Sequence, residues 1–295
     1  MSLTDKILVT GAGGLIGAAT VGLLWRKGIQ VTGLYKGNTS EPLRWPVLTG
    51  DLAAVRLENI AGFDTPFKTI VHCAAQLPAG TDDLATAARV NAKIDSNVLH
   101  YASAFGSRLI YISGTSVYGC VKDLCREESP AYPIGPYVLE KLKSEQEIQK
   151  ALPNHVILRV SAPYGPLQKS RTVLRIFVEN ALSNQTLFYY GSGEREQDFT
   201  FVDDVAECIL QTLSHTQVNG VFNVASGNAI SMRELGNLIV SLLPNCTSSV
   251  VPKYADDMQE GCLARFSVEK AARLLNWKPT TPIKEGLNKM INLRQ

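Results

Sequence analysis

The chain lacks an excess of either charge. Its 29 Lys and Arg stand against 27 Asp and Glu, a formal net charge of +2. That excludes the strongly basic footprint of a nucleic-acid binder. It also lacks any apolar run of the ~18 residues that suggest a membrane span. No charged stretch precedes an apolar one, so no secretion signal is expected. Its six cysteines, at 73, 120, 125, 208, 246 and 262, form no C-x-x-C pair. A zinc site and a thioredoxin-type centre are therefore not expected, and no metal is assigned. Reduced thiols in a cytoplasmic protein are the simplest expectation. No low-complexity linker or internal repeat divides the chain.

What is present suits a folded enzyme. Hydrophobic residues make up 45% and charged residues 19% of 295 positions. That is enough for a large core, in one domain or two lobes. The most informative stretch runs from the apolar Ile7–Val9 into Gly11-Ala12-Gly13-Gly14-Leu15-Ile16-Gly17, followed at once by a helix-compatible run over 15–27. A strand that turns tightly into a helix gathers backbone N–H groups at the positive end of the helix dipole, where a pyrophosphate fits. The spacing is Gly11-x-x-Gly14-x-x-Gly17, with Ile16 where the commoner G-x-G-x-x-G would need glycine.

Short apolar segments at 6–10, 30–35, 69–74, 109–113 and 156–160 read as buried strands, and 15–27, 84–105 and 137–152 as helices between them. This alternation predicts a doubly wound parallel sheet with right-handed crossovers. Further on, 173–183, 203–214 and 231–243 read as helical, and 187–190 and 221–224 as extended. Two more helical runs flank Pro279 and Pro282 in the tail. Proline opens one helix at Pro136, where Tyr137 and Lys141 are four apart and share a face. A nearby ammonium, and an oxidised nicotinamide, would each favour phenolate and lower the phenol's pKa. Tyr137 could then exchange a proton with a substrate hydroxyl.

These segments resemble the extended short-chain dehydrogenase/reductase superfamily, also called the NAD-dependent epimerase/dehydratase family. The likeness is carried by Thr10-Gly11…Gly14…Gly17, Gly50-Asp51-Leu52, Val71-His72-Cys73-Ala74-Ala75 and Val90-Asn91. It continues through Tyr111-Ile112-Ser113…Val117-Tyr118-Gly119, Tyr137…Lys141, Arg159…Tyr164-Gly165-Pro166, Gly191-Ser192-Gly193, Asp198-Phe199…Val202-Asp203-Asp204-Val205 and Phe222-Asn223-Val224. The resemblance implies a Rossmann-type dinucleotide-binding domain over 1–160, with contributions from about 199–225, and a smaller interleaved substrate lobe over 161–295. It places Gly11, Gly13, Gly14, Leu15, Ile16 and Gly17 at the pyrophosphate. Tyr35, Lys36, Asp51 and Leu52 fall at the adenosine end. Cys73, Ala74, Ala75 and Asn91 fall beside the cofactor. Tyr137 is the implied proton-transfer residue, and Lys141 grips the nicotinamide ribose. Gln76, Tyr164, Arg195 and Arg265 are the candidates for substrate.

The chain departs from the family pattern in four places. Tyr35 stands where a ribose-binding acid is usual, and Lys36 could attract a 2′-phosphate, which favours NADP over NAD. Gly114 stands where the family has Ser or Thr, five residues before the glycine of Val-Tyr-Gly. Thr115 or Ser113 is expected to assist instead, or else Ser116 or a water. Thr115 and Ser116 also replace the Asp-Glu pair of the 4,6-dehydratases, which favours epimerisation or simple carbonyl reduction over dehydration. Gln197 replaces an arginine that grips diphosphate in sugar-nucleotide members, leaving Arg195 and Arg265 to compensate. His72 reads as a core histidine, Asp203 and Asp204 as helix caps, and Arg159 as a brace.

The combined expectation is an NAD(P)-dependent epimerase or ketoreductase of a nucleotide-activated sugar, with no nucleic-acid or membrane partner. A homodimer through the helices at 84–105 and 137–152 follows from the resemblance. A reductase of a non-nucleotide carbonyl compound and a non-catalytic dinucleotide sensor or scaffold are the alternatives; Gly114 motivates the second.

Overall fold

A computed structural model describes residues 6–39, 42–60, 66–78 and 83–293. Strand β1 (Ile7–Thr10) lies inside the main sheet and is buried along its whole length. Beside it run β2 (Val31–Tyr35) and β3 (Val47–Thr49) on one side. On the other side are β4 (Thr69–His72), β5 (Arg108–Gly114), β6 (His155–Val160) and β9 (Gly220–Val224). The order is β3-β2-β1-β4-β5-β6-β9, and every neighbouring pair is parallel.

Strand side chains alternate between faces, so one strand feeds two cores. Ile7 and Val9 join Val21 and Leu24 of helix α1 (Leu15–Arg26) and Val205 and Ile209 of α5 (Val202–Ser214). Leu8, between them, joins Val98 and Tyr101 of α2 (Leu84–Phe105) and Ile148 of α3 (Pro136–Ala151). Helices therefore cover both faces, as apolar parallel strands require. The expected strand over 221–224 becomes the seventh member of this sheet. The edge strand β3 was not anticipated; three residues are too few to show a period.

The rest of the second half builds a smaller body. It contains α4 (Val173–Leu182), β7 (Leu187–Tyr189), β8 (Glu196–Asp198), β10 (Ala229–Ser231), α6 (Met232–Ser241), β11 (Val250–Pro252) and α8 (Ile283–Asn292), whereas α7 (Glu269–Leu274) returns to the main sheet, where Ala271 joins the core with Phe222 of β9. Strands β8 and β10 pair antiparallel, and β7 and β11 pair parallel. Tyr164, Phe177, Leu235, Ile239 and Leu287 form its core. Ser231 starts α6 with a reciprocal capping box to Glu234.

Two expectations fail here. Asp203 and Asp204 do not cap α5, whose N-cap Phe201 has no side-chain cap. Asp204 instead accepts from the Thr280 and Thr281 N–H groups and the Thr280 hydroxyl, anchoring the tail. A carboxylate this buried needs several donors, and the tail loop supplies them. The thiols are not all reduced either. Cys120 and Cys262 form a disulfide with Cα atoms 5.1 Å apart and 142 residues between them in sequence. It ties the loop after β5 to the smaller body, whereas Cys73, Cys125, Cys208 and Cys246 are free. Closing so long a loop contributes about 2–4 kcal/mol by restricting the unfolded chain. Pairing of this kind depends on spatial proximity, which cysteine spacing does not show.

Candidate functional site

The strand order reverses between β1 and β4, and a crevice opens there at the carboxyl ends of the strands. A cavity of about 580 Å³ fills it, reaching from the glycine turn to the smaller body. The turn is shaped for an anion. Gly11 has φ +65°, and a β-carbon there would lie 2.6 Å from the Ala74 backbone. A β-carbon on Gly17 would lie 2.2 Å from the Gly11 carbonyl oxygen. Only glycine lets the turn and α1 sit this close to β4. No side chain caps α1, and Gly14, Leu15, Ile16 and Gly17 line the cavity. The N–H groups of the first helical turn are thus available to a pyrophosphate, and the residues present fit a dinucleotide.

At the adenosine end, Tyr35 ends β2 and accepts a hydrogen bond from Trp45 Nε1 at 3.1 Å. Its ring lies 3.2 Å from where a Gly13 β-carbon would be. Lys36 is largely exposed, with its Nζ 3.3 Å from Asp51 Oδ2, a surface pair that contributes little. Asp51 also accepts from the Ala53 N–H at 3.0 Å, and Leu52 is core. At the end of β4, Ala74 donates its N–H to Thr10 Oγ1 at 3.3 Å. Cys73 and Ala75 line the cavity. Burial, opposed by the Lys141 charge, pushes the Cys73 thiol up to about 12, so it stays protonated.

Asn91 is buried and wholly engaged. Its Oδ1 accepts from the Gln76 N–H at 2.8 Å and its Nδ2 donates to the Gln76 carbonyl at 3.0 Å. It braces the loop after β4 rather than reaching for a cofactor. The Gln76 side chain points to its neighbour, Nε2 to the Leu77 carbonyl at 3.4 Å, and Gln76 is not among the residues lining the cavity.

Tyr137 and Lys141 both line the cavity from the first turns of α3. Lys141 is buried at 5% exposure, and its Nζ donates to Tyr111 Oη at 2.9 Å. Asp95 Oδ2 lies 3.8 Å from the same Nζ. Asp95 collects four partners: Lys141, the Tyr111 hydroxyl at 2.6 Å, the Ser144 hydroxyl at 2.8 Å and His72 Nε2 at 3.0 Å. An ionised carboxylate only accepts. His72 therefore donates from Nε2, and its Nδ1 accepts the Thr10 hydroxyl at 2.6 Å. His72 is a satisfied core histidine, as its buried-strand setting predicts. Burial would raise the Asp95 carboxyl, but Lys141 and His72 outweigh it and hold it well below the usual range.

This network reverses one expectation. Lys141 does not pull Tyr137 down, because Tyr111 and Asp95 already take up its charge. Burial first, and Asp95 second, push the Tyr137 phenol up to about 12. Asp95→Asn removes the negative charge and leaves Lys141 less neutralised; both changes favour phenolate. The rising limb of kcat/KM against pH should move to lower pH. An unmoved limb would sever Asp95 from Tyr137.

Ser113 is not free. Its hydroxyl donates to Glu145 Oε1 at 2.5 Å, and Glu145 also holds Arg159, with Nη2 at 2.6 Å from Oε2. Arg159 braces the site as expected, and Ser113 joins the brace. Ser113 still lines the cavity, with Gly114, Thr115 and Ser116 beyond it. The two arginines expected to grip phosphate are both paired. Arg195 lines the cavity but holds Asp257 at 2.7 Å and Gln259 at 3.2 Å. Arg265 clasps Glu196 with bonds of 2.7 and 2.8 Å and is not among the cavity-lining residues. Tyr164 lines the cavity but is buried, with its hydroxyl toward the Ile283 carbonyl at 3.5 Å and its ring edge-on against Phe201.

Asp95 and Glu145 were not singled out from the sequence, and Tyr111 entered only as part of the segment Tyr111-Ile112-Ser113. A signal existed for Asp95, which falls on the apolar face of α2 with Ala88, Asn91, Val98 and Ala102. A charge on such a face needs a buried partner. Among the described residues, no group of His, Cys, Asp and Glu could hold a metal ion. No helix among them is long and apolar enough to cross a membrane.

Residues 7–225 match the NAD dependent epimerase/dehydratase family. The chain belongs to that family. It is an α/β enzyme of the extended short-chain dehydrogenase/reductase superfamily. UDP-glucose 4-epimerase of Mycolicibacterium smegmatis is 29% identical over 97% of each chain. The dTDP-glucose 4,6-dehydratase of Neisseria meningitidis is 26% identical over 97% of this chain and 92% of that protein. Among solved structures, Thermus thermophilus UDP-glucose 4-epimerase in complex with NAD superimposes with a TM-score of 0.83 at 25% identity. The match covers 98% of this chain and 99% of that one.

Proposed function

We propose that the protein is an NAD-dependent epimerase of a nucleotide-activated sugar, inverting one carbinol carbon through a keto intermediate. The observation that carries this reading is that Tyr137 and Lys141 share one cavity with the uncapped, glycine-shaped start of α1. Residues 1–160, with about 199–225, serve as the dinucleotide lobe, and 161–295 as the substrate lobe. When bound, the dinucleotide supplies a hydride acceptor and, oxidised, a positive charge beside the phenol. Tyr137 takes the proton from the sugar hydroxyl and returns it after the keto sugar has turned. Lys141, oriented by Asp95 and Tyr111, would hold the ribose hydroxyls, and the cation of the oxidised nicotinamide would favour phenolate at Tyr137. The turn at Gly11–Gly17 holds the pyrophosphate.

Dehydration is disfavoured because Thr115 and Ser116 offer no carboxylate to assist loss of water. NAD is favoured over NADP, since the similar epimerase of Thermus thermophilus was solved with NAD. The names of the relatives support a sugar nucleotide as substrate. The reading includes a cytoplasmic location and a homodimer through the outer faces of α2 and α3, where Phe105 and Leu139 are exposed.

The test is to denature the purified protein, identify the dinucleotide released, and assay the intact protein for interconversion of UDP-glucose and UDP-galactose. Retained NAD with interconversion is expected. An empty site together with NADPH-dependent reduction of a carbonyl compound would replace epimerisation by simple reduction.

A further inference from the structure

Gly114 leaves the end of β5 without the hydroxyl that its family usually carries there. Three neighbouring hydroxyls compete to replace it. Ser113 is occupied, donating to Glu145, itself fully buried against Arg159. Thr115 lines the cavity but is only 7% exposed. Ser116 is exposed on the same wall, in the short turn Thr115–Tyr118 that follows β5.

The geometry around Gly114 separates them. Its backbone is ordinary extended chain, φ −134° and ψ 149°, so nothing in the fold demands glycine. A β-carbon built on it would lie 3.3 Å from Ser116 Oγ, with the Val160 carbonyl oxygen next at 3.8 Å. The Ser116 hydroxyl therefore stands at the edge of the space that a residue-114 side chain would enter. Among the described residues, no group hydrogen-bonds the Ser116 hydroxyl. Ser116 lines the cavity with Tyr137 and Lys141.

We infer that Ser116 has taken over the missing strand hydroxyl, contacting the substrate's reacting oxygen opposite Tyr137. This rests on the epimerase reading above. Ser116 Oγ accepts a hydrogen bond from the sugar hydroxyl, or donates one to the keto oxygen formed when hydride and proton have left. It takes up no proton itself; Tyr137 does. The glycine at 114 then has a reason: a serine there would crowd Ser116, and one hydroxyl suffices.

The experiment measures kcat and KM for interconversion of UDP-glucose and UDP-galactose, with the NAD retained per chain, in four proteins. These are wild type, Ser116→Ala, Ser116→Thr and the double variant Gly114→Ser/Ser116→Ala. Ser116→Ala should lower kcat by about 10- to 100-fold, at or below the loss of one aligned oxyanion donor, with retained NAD unchanged. Ser116→Thr keeps the hydroxyl and should stay within a few-fold of wild type. The double variant moves the hydroxyl back to β5, where the shortened side chain at position 116 clears the contact, and should recover most of the loss. A merely structural role for Ser116 gives no such recovery. Full activity in Ser116→Ala, or a Ser116→Thr no better than Ser116→Ala, overturns the assignment while leaving epimerisation intact. So does a folded, NAD-loaded double variant without recovery. A wild type that interconverts no sugar nucleotide overturns the epimerase reading, and this inference with it.

Discussion

Tyr137→Phe should lower kcat by about 100- to 10,000-fold, the usual contribution of a positioned acid/base. The substitution removes one oxygen and keeps the ring, so the half-buried pocket around residue 137 keeps its packing. Retained dinucleotide and thermal stability should therefore hold, which separates lost chemistry from lost structure. The starting point makes the effect large. Burial and Asp95 push this phenol up to about 12, so in the free protein it is an acid at neutral pH. It serves as a base only where the cation of the oxidised cofactor stabilises the phenolate. Among the described residues, Tyr111 is committed to Asp95 and Lys141, and Tyr164, though it lines the cavity, is buried with its hydroxyl toward the Ile283 carbonyl. Steady-state rates with UDP-glucose and UDP-galactose check this, and undiminished turnover would remove Tyr137 from the mechanism.

Glu145→Ala should destabilise the fold by about 3–5 kcal/mol, because it strands a buried guanidinium. Glu145 is fully buried, and Arg159 is 6% exposed, on neighbouring parts of α3 and β6. Arg159 presents Nε at 3.1 Å and Nη2 at 2.6 Å to one carboxylate oxygen, and its guanidinium also lies 4.8 Å from the Tyr118 ring centre. Removing Glu145 leaves that charge and the Ser113 hydroxyl without their shared acceptor. Replacing both partners at once, as Glu145→Leu/Arg159→Met, should recover much of the loss, since two apolar residues need no mutual compensation. Denaturant unfolding of the three proteins measures it. A single-variant loss below about 1 kcal/mol would mean that water reaches Arg159, contrary to its burial.

The pairing of Glu145 with Arg159 shows where reading along the chain stops. Arg159 was legible as a brace, because it is the one charged residue of a mostly apolar strand, next to its end at Val160. Its acid was not, because Glu145 sits in a polar-looking helix whose inward face only packing identifies. Asn91 shows the same limit. Its type and place suggested a polar contact, yet both its polar atoms serve one backbone unit of the adjoining loop. Arg195 and Arg265 were assigned to phosphate by charge alone, and each found a carboxylate within its own lobe.

The residues themselves determined the large sheet, the glycine turn that closes its first strand, and the Tyr137–Lys141 spacing. These follow from interactions a few residues in range: side-chain alternation, the left-handed freedom of Gly11, and the pitch of a helix. Tertiary structure alone decided that Asp95 and Tyr111 hold Lys141 and that Cys120 meets Cys262. Each of those depends on which surfaces come together when separate elements pack, and local pattern carries no information about that distance.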